Sequence, residues 1–129
     1  MDALPRRARS HAAALGSLTC VALALLASAA WAHAFPERSE PRVGATVDTP
    51  PASVRIVFDG ELEPVFSTIR VENAAKQRVD RGDGGVDARN GRVLVVNVPP
   101  LPSGRYRVYW SVVARDGHRT EGDFPFRIK

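Results

Sequence analysis

At 129 residues, with 44% hydrophobic residues and a formal net charge of +4, the chain has the length and apolar content of one domain with its own core. A single Cys and a single Met exclude an internal disulfide and leave no basis for a zinc-thiolate cluster. The basic residues fall mostly at alternating positions instead of forming a block, which argues against nucleic acid as a partner.

The first 32 residues read as a targeting segment. Arg6, Arg7 and Arg9 form a positive n-region, Leu15 to Ala30 is an uncharged run dominated by Ala, Leu and Val, and Ala30-Trp31-Ala32 places small residues where signal peptidase reads them. The run is short for a membrane span, and Ser17-Leu18-Thr19 lacks the small residue expected ahead of a lipidated Cys20. Residues 1–32 are therefore predicted to be a cleaved secretory signal peptide, with the cut between Ala32 and His33 and a mature domain over 33–129. The loss of three Arg and one Asp leaves 15 basic against 13 acidic residues, and Cys20, Met1 and His11 go with them. His33 and His118 are then the remaining histidines, and neither a thiol nor a thioether is left to bind a soft metal.

In the mature domain, Pro36, Pro41, Gly44, Pro50 and Pro51 make His33 to Pro51 an irregular segment. Val54, Ile56 and Phe58 then alternate with Ser53, Arg55 and Val57 as a half-buried strand. Phe66, Ile69 and Val71 mark a second, with Thr68, Arg70 and Glu72 on its other face. Lys76 to Gly91 is polar and rich in turn residues, with Gly82-Asp83-Gly84-Gly85 and Asn90-Gly91, and is expected to carry short hairpin strands. Arg92 to Val98 is more continuously apolar, as in a strand buried on both faces, until Pro99 to Gly104 turns the chain. From Arg105 to about Arg115 the pattern is clearest: Tyr106, Val108, Trp110, Val112 and Ala114 share one parity, Arg105, Arg107 and Arg115 the other. A final strand points Phe124, Phe126 and Ile128 inward. No stretch shows a helical period, so the fold class is all-β, a sandwich, with a small closed, cupredoxin-like barrel as the alternative.

Two features bear on chemistry. The first is a His at the predicted mature N-terminus, where the freed α-amine and the imidazole Nδ1 of His33 can chelate one ion. The amine, with a reference pKa of about 7.7–8.0, must lose its proton to bind. The second is Asp116-Gly117-His118 at the end of the clearest strand. On extended backbone, side chains two apart emerge together, while the plain alternative is a surface turn with a solvated His118. Together the two features offer an amine, two imidazoles and a carboxylate, a donor set suited to tetragonal Cu(II), which stands at the top of the divalent affinity order. Ni(II) and Zn(II) can also use these donors, whereas soft Cu(I) finds no sulfur. Glu121 and Asp123 are candidates to orient the His118 ring. Trp110 is expected in the core.

The mature sequence resembles the CopC family of periplasmic copper-resistance and copper-binding proteins. His33-Ala34, Ser39, Pro41 and Gly44-Ala45 are similar to its opening, and Val54-Arg55-Ile56-Val57-Phe58, Glu63-Pro64 and Phe66-Ser67 to its next block. Gly104, Tyr106, Val108, Trp110, Val113, Asp116-Gly117-His118, Gly122 and Phe126 fall at the family's spacings near the C-terminus. The resemblance implies a Greek-key, immunoglobulin-like β-sandwich and metal ligands at His33, Asp116 and His118, one Cu(II) ion per chain. It departs at Gly60, where members often have Glu, with Glu61 beside it. It also lacks the Met-rich segment that some members use for Cu(I).

The function expected is a periplasmic copper(II) carrier or buffer in copper resistance or homeostasis, monomeric and not an enzyme. A CopD-like inner-membrane protein is the partner the family implies. A copper-dependent oxidative enzyme is a second reading, since lytic polysaccharide monooxygenases share an N-terminal His chelate. Against it stand the chain's small size, the carboxylate that would fill an open coordination position, and no evident aromatic substrate face. A metal-free immunoglobulin-like interaction module is the third.

Overall fold

The alternation of apolar and polar side chains is satisfied by two four-stranded sheets packed face to face. A computed structural model describes residues 33–129 of the chain; the predicted signal segment, Ala32 and hence the cleavage site lie outside the described residues. Its strands are β1 (Pro36–Glu40), β2 (Thr46–Val47), β3 (Ser53–Phe58), β4 (Thr68–Asn73), β5 (Gly85–Asp87), β6 (Asn90–Asn97), β7 (Gly104–Val113) and β8 (Arg119–Ile128). One sheet has the order β1-β3-β6-β5 and the other β2-β8-β7-β4. Only the β5–β6 and β7–β8 connections stay within a sheet, and every other link crosses to the opposite layer. The two sheets stay separate, so the molecule is an immunoglobulin-like β-sandwich and the barrel alternative is set aside.

The core lies between the layers. Val54, Ile56 and Phe58 of β3 and Leu94 and Val96 of β6 face Ile69 and Val71 of β4, Val108 and Val112 of β7, and Phe124, Phe126 and Ile128 of β8, all buried. Trp110 is half-buried and sets its ring edge-on to Phe58, with centroids 5.3 Å apart at 75°. Tyr106 stacks on Phe126 at 5.3 Å, and its hydroxyl donates to the Pro102 carbonyl at 2.6 Å. That bond closes the proline-rich corner ahead of β7 in the manner of a tyrosine corner.

The segment expected to be irregular carries two strands instead. β1 pairs antiparallel with β3, and β2 pairs parallel with β8. β1 has the sequence Pro-Glu-Arg-Ser-Glu and buries only Ser39. It lies at a sheet edge, where proline is tolerated and no apolar alternation is needed. Phe66 belongs to a 3-10 turn, Pro64–Phe66, and is 57% exposed instead of starting an inward face.

Candidate metal centre

The β7–β8 hairpin ends in a three-residue loop. The Gly117 amide donates to the Ala114 carbonyl and the Ala114 amide to that of His118, both at 2.9 Å. Gly117 has φ +89°, the left-handed conformation that glycine adopts without a Cβ penalty and that closes hairpins of this length. Asp116 therefore occupies a turn and not the continuation of a strand. Its pairing with His118 comes from the turn: Oδ1 accepts from the His118 amide at 3.0 Å, and Oδ2 lies 2.5 Å from His118 Nδ1.

Electrostatics follow from those contacts. The hydrogen bond from the His118 amide, joined by the His118 ring and the charges of His118 and His33, holds the Asp116 carboxyl below its ordinary value against an opposing desolvation. A carboxylate can only accept, so His118 Nδ1 carries the proton. That leaves His118 Nε2 as the ring nitrogen open to another partner, on a side chain 62% accessible to solvent.

His33 arrives from the opposite end of the chain. The next residue, Ala34, is completely buried, and its carbonyl accepts from the Thr120 hydroxyl at 2.7 Å. The Phe35 amide donates to Asp59 Oδ1 at 2.7 Å, and the Asp59 amide donates to the Phe35 carbonyl at 3.0 Å. So held, the His33 ring lies with its centroid 4.5 Å from that of His118, at 45°. One donor atom from each of His33, Asp116 and His118 falls within 4.8 Å of the others, and all three residues are exposed. These are the residues the sequence singles out, brought together from the segment ahead of β1 and the loop between β7 and β8.

Other expectations fare differently. Glu61 Oε2 pairs with Arg115 Nε at 2.9 Å, and neither Glu61 nor Glu63 joins the cluster. The His118 ring takes its partner from Asp116, not from Glu121 or Asp123, and Asp123 is paired with Arg107. Tyr109 lies beneath the Arg70 guanidinium, 4.5 Å from its centroid. Asp59 and Thr120 were not foreseen, because their contacts join positions 24 and 86 residues apart.

Chemically, two imidazoles and a carboxylate at an accessible surface can hold a borderline divalent ion, and the His33 amine would add a fourth donor once freed. Residues 36–129 match the CopC domain. The chain is 33% identical over 107 residues to the copper transport protein CutJ of Bacillus subtilis, covering 82% of this chain and 20% of that protein. It thus spans a fifth of that relative's length. The crystal structure of CopC from Methylosinus trichosporium OB3b is similar with a TM-score of 0.66 and 29% identity, covering 75% of this chain and 94% of that one. PcoC, a methionine-rich copper resistance protein from Escherichia coli, gives a TM-score of 0.67 and 26% identity, covering 76% of this chain and all of that one.

Proposed function

Because the chain belongs to the CopC family, we propose that it is a periplasmic copper(II) carrier or buffer, monomeric and loading one ion per chain at His33, Asp116 and His118. The observation that carries this reading is the convergence of His33 and His118 to a 4.5 Å ring separation beside Asp116, with no sulfur donor on residues 33–129. Those donors favour Cu(II) over Cu(I). Signal-peptide removal frees the His33 amine, so secretion and metal competence are coupled.

Asp116 can serve in two ways. It can give Oδ2 to the ion, or it can hold the Nδ1 proton of His118 so that Nε2 faces the ion; the 2.5 Å contact between Oδ2 and Nδ1 supports the second. The exposure of all three residues suits an ion that must be taken up and passed on. Release to an inner-membrane, CopD-like partner is consistent with the Bacillus relative, a copper transport protein in which the matched region is one fifth of the whole. The role proposed is carriage and not catalysis, in line with relatives named for copper transport and copper resistance.

Isothermal titration of the secreted protein with Cu(II) tests the proposal. One tight site per chain is expected, weakening as pH falls below about 8 and the amine regains its proton. His118→Ala should weaken it sharply, as should one extra residue ahead of His33. Unchanged affinity in His118→Ala would remove the site, and unchanged affinity in the extended protein would remove the amine chelate.

A further inference from the structure

We propose that Asp59 and Thr120 are positioning residues for the metal, a latch that holds the first residues of the mature chain so that His33 meets His118; the inference rests on the copper(II) reading above. The ladder between β1 and β3 ends at the Pro36–Phe58 pair, and Pro36 has no amide hydrogen to extend it. The next amide outward is that of Phe35, and it is the Asp59 side chain that accepts from it, at 2.7 Å. Asp59 returns its own amide to the Phe35 carbonyl at 3.0 Å. One residue thus replaces the missing rung from both its side chain and its backbone.

Thr120 supplies the second half. It stands two residues after His118 on β8, and its hydroxyl donates at 2.7 Å to the carbonyl of Ala34, the neighbour of His33. The strand that follows one imidazole therefore grips the residue next to the other. Short lever arms on both sides transmit that bond directly to the 4.5 Å ring separation. The completely buried Ala34 methyl prevents the segment from sliding along its axis. Without these contacts an N-terminal residue would be free to fray, and the ion would have to order it on binding. With them, two of the donors are already facing each other, and the ordering cost is met by folding.

The test uses protein secreted from the full chain, titrated with Cu(II) in competition with a chelator and examined by electron paramagnetic resonance. Thr120→Val keeps the shape of the half-buried side chain and removes the donor, and Asp59→Ala removes the acceptor. Each is expected to weaken Cu(II) binding about 10- to 100-fold, as loss of groups behind a metal ligand does, and to give an altered or mixed hyperfine pattern. Thr120→Ser and Asp59→Asn retain the hydroxyl and the acceptor oxygen, and should restore both affinity and spectrum. The latch is overturned if Thr120→Val and Asp59→Ala bind like wild type with an unchanged spectrum, or if they lose only thermal stability. If wild type itself fails to bind, the copper reading falls and takes the latch with it; if wild type binds and the variants are indifferent, only the latch falls.

Discussion

Gly122→Ala puts a single methyl group where the sandwich has no room for it. Gly122 sits directly opposite Trp110 in the β7–β8 ladder, and a Cβ there would lie 2.7 Å from Trp110 Cζ2, 3.0 Å from Cε2 and 3.3 Å from Nε1. Ordinary carbon contact begins near 3.5 Å, so the indole must retreat by about 0.8 Å. Its retreat is limited on one side by Phe58, completely buried and in edge contact with it. Overpacking of this kind costs about 1–3 kcal/mol, and Ala brings little compensating strand propensity. Taking about 2 kcal/mol, a domain of this size should melt about 8–16 °C lower. The assay, on protein that begins at His33 and so lacks Trp31, is urea unfolding followed by Trp110 emission, together with thermal circular dichroism. Placing Gly122→Ala in a Trp110→Phe background should relieve the clash and reduce its cost to about 0.5 kcal/mol or less, a coupling that a double-mutant cycle measures directly. An unchanged midpoint in Gly122→Ala, or an equal cost in both backgrounds, would show that the indole does not oppose the methyl.

Tyr106→Phe removes the hydroxyl that donates to the Pro102 carbonyl at 2.6 Å and should cost about 1 kcal/mol, read as a lower melting temperature with copper affinity unchanged; equal stability would mean that the corner holds without that bond. Asp83 gives a pH signature. Hydrogen bonds from the Asn97 side chain and then its backbone hold the Asp83 carboxyl below its ordinary value. Its stabilising effect is therefore full above the unfolded value near 4 and is lost as pH falls through the lower folded value. Wild type should exceed Asp83→Asn in stability most at neutral pH, and the gap should close in acid; a gap that stays constant to about pH 2 would contradict the assignment.

What could be read from the sequence was what alternation encodes. The inward faces of β3, β7 and β8 are buried as the parity of Val54, Tyr106 and Phe124 requires, because each contributes to one layer of a two-layer core. β1 left no such trace, since an edge strand that buries only Ser39 needs no apolar period. The sequence pattern puts Phe66 on one face with Ile69 and Val71, whereas its backbone belongs to a 3-10 turn ahead of β4. At the site, the three side chains were identifiable by chemical type, but extended parity was the wrong reason for the Asp116–His118 pairing. A left-handed glycine and an Asx-type contact bring them together. Asp59 and Thr120 were invisible because an ordinary Asp and Thr acquire meaning only through partners far along the chain.

The bond from Thr120 to Ala34 spans 86 residues, among the longest separations the domain can make, whereas the β7–β8 hairpin that carries Asp116 and His118 joins neighbours in sequence. Distant pairings cost more loop-closure entropy than local ones. The hairpin half of the proposed site rests on contacts local in sequence, whereas the His33 half needs the first strand paired with β3 and the Thr120 hydroxyl in place. A partly folded molecule would offer the ion proposed above one imidazole and one carboxylate, a much poorer trap. Full capacity at the proposed site thus requires both ends of the domain to be in place, which would make metal uptake a report on completed assembly.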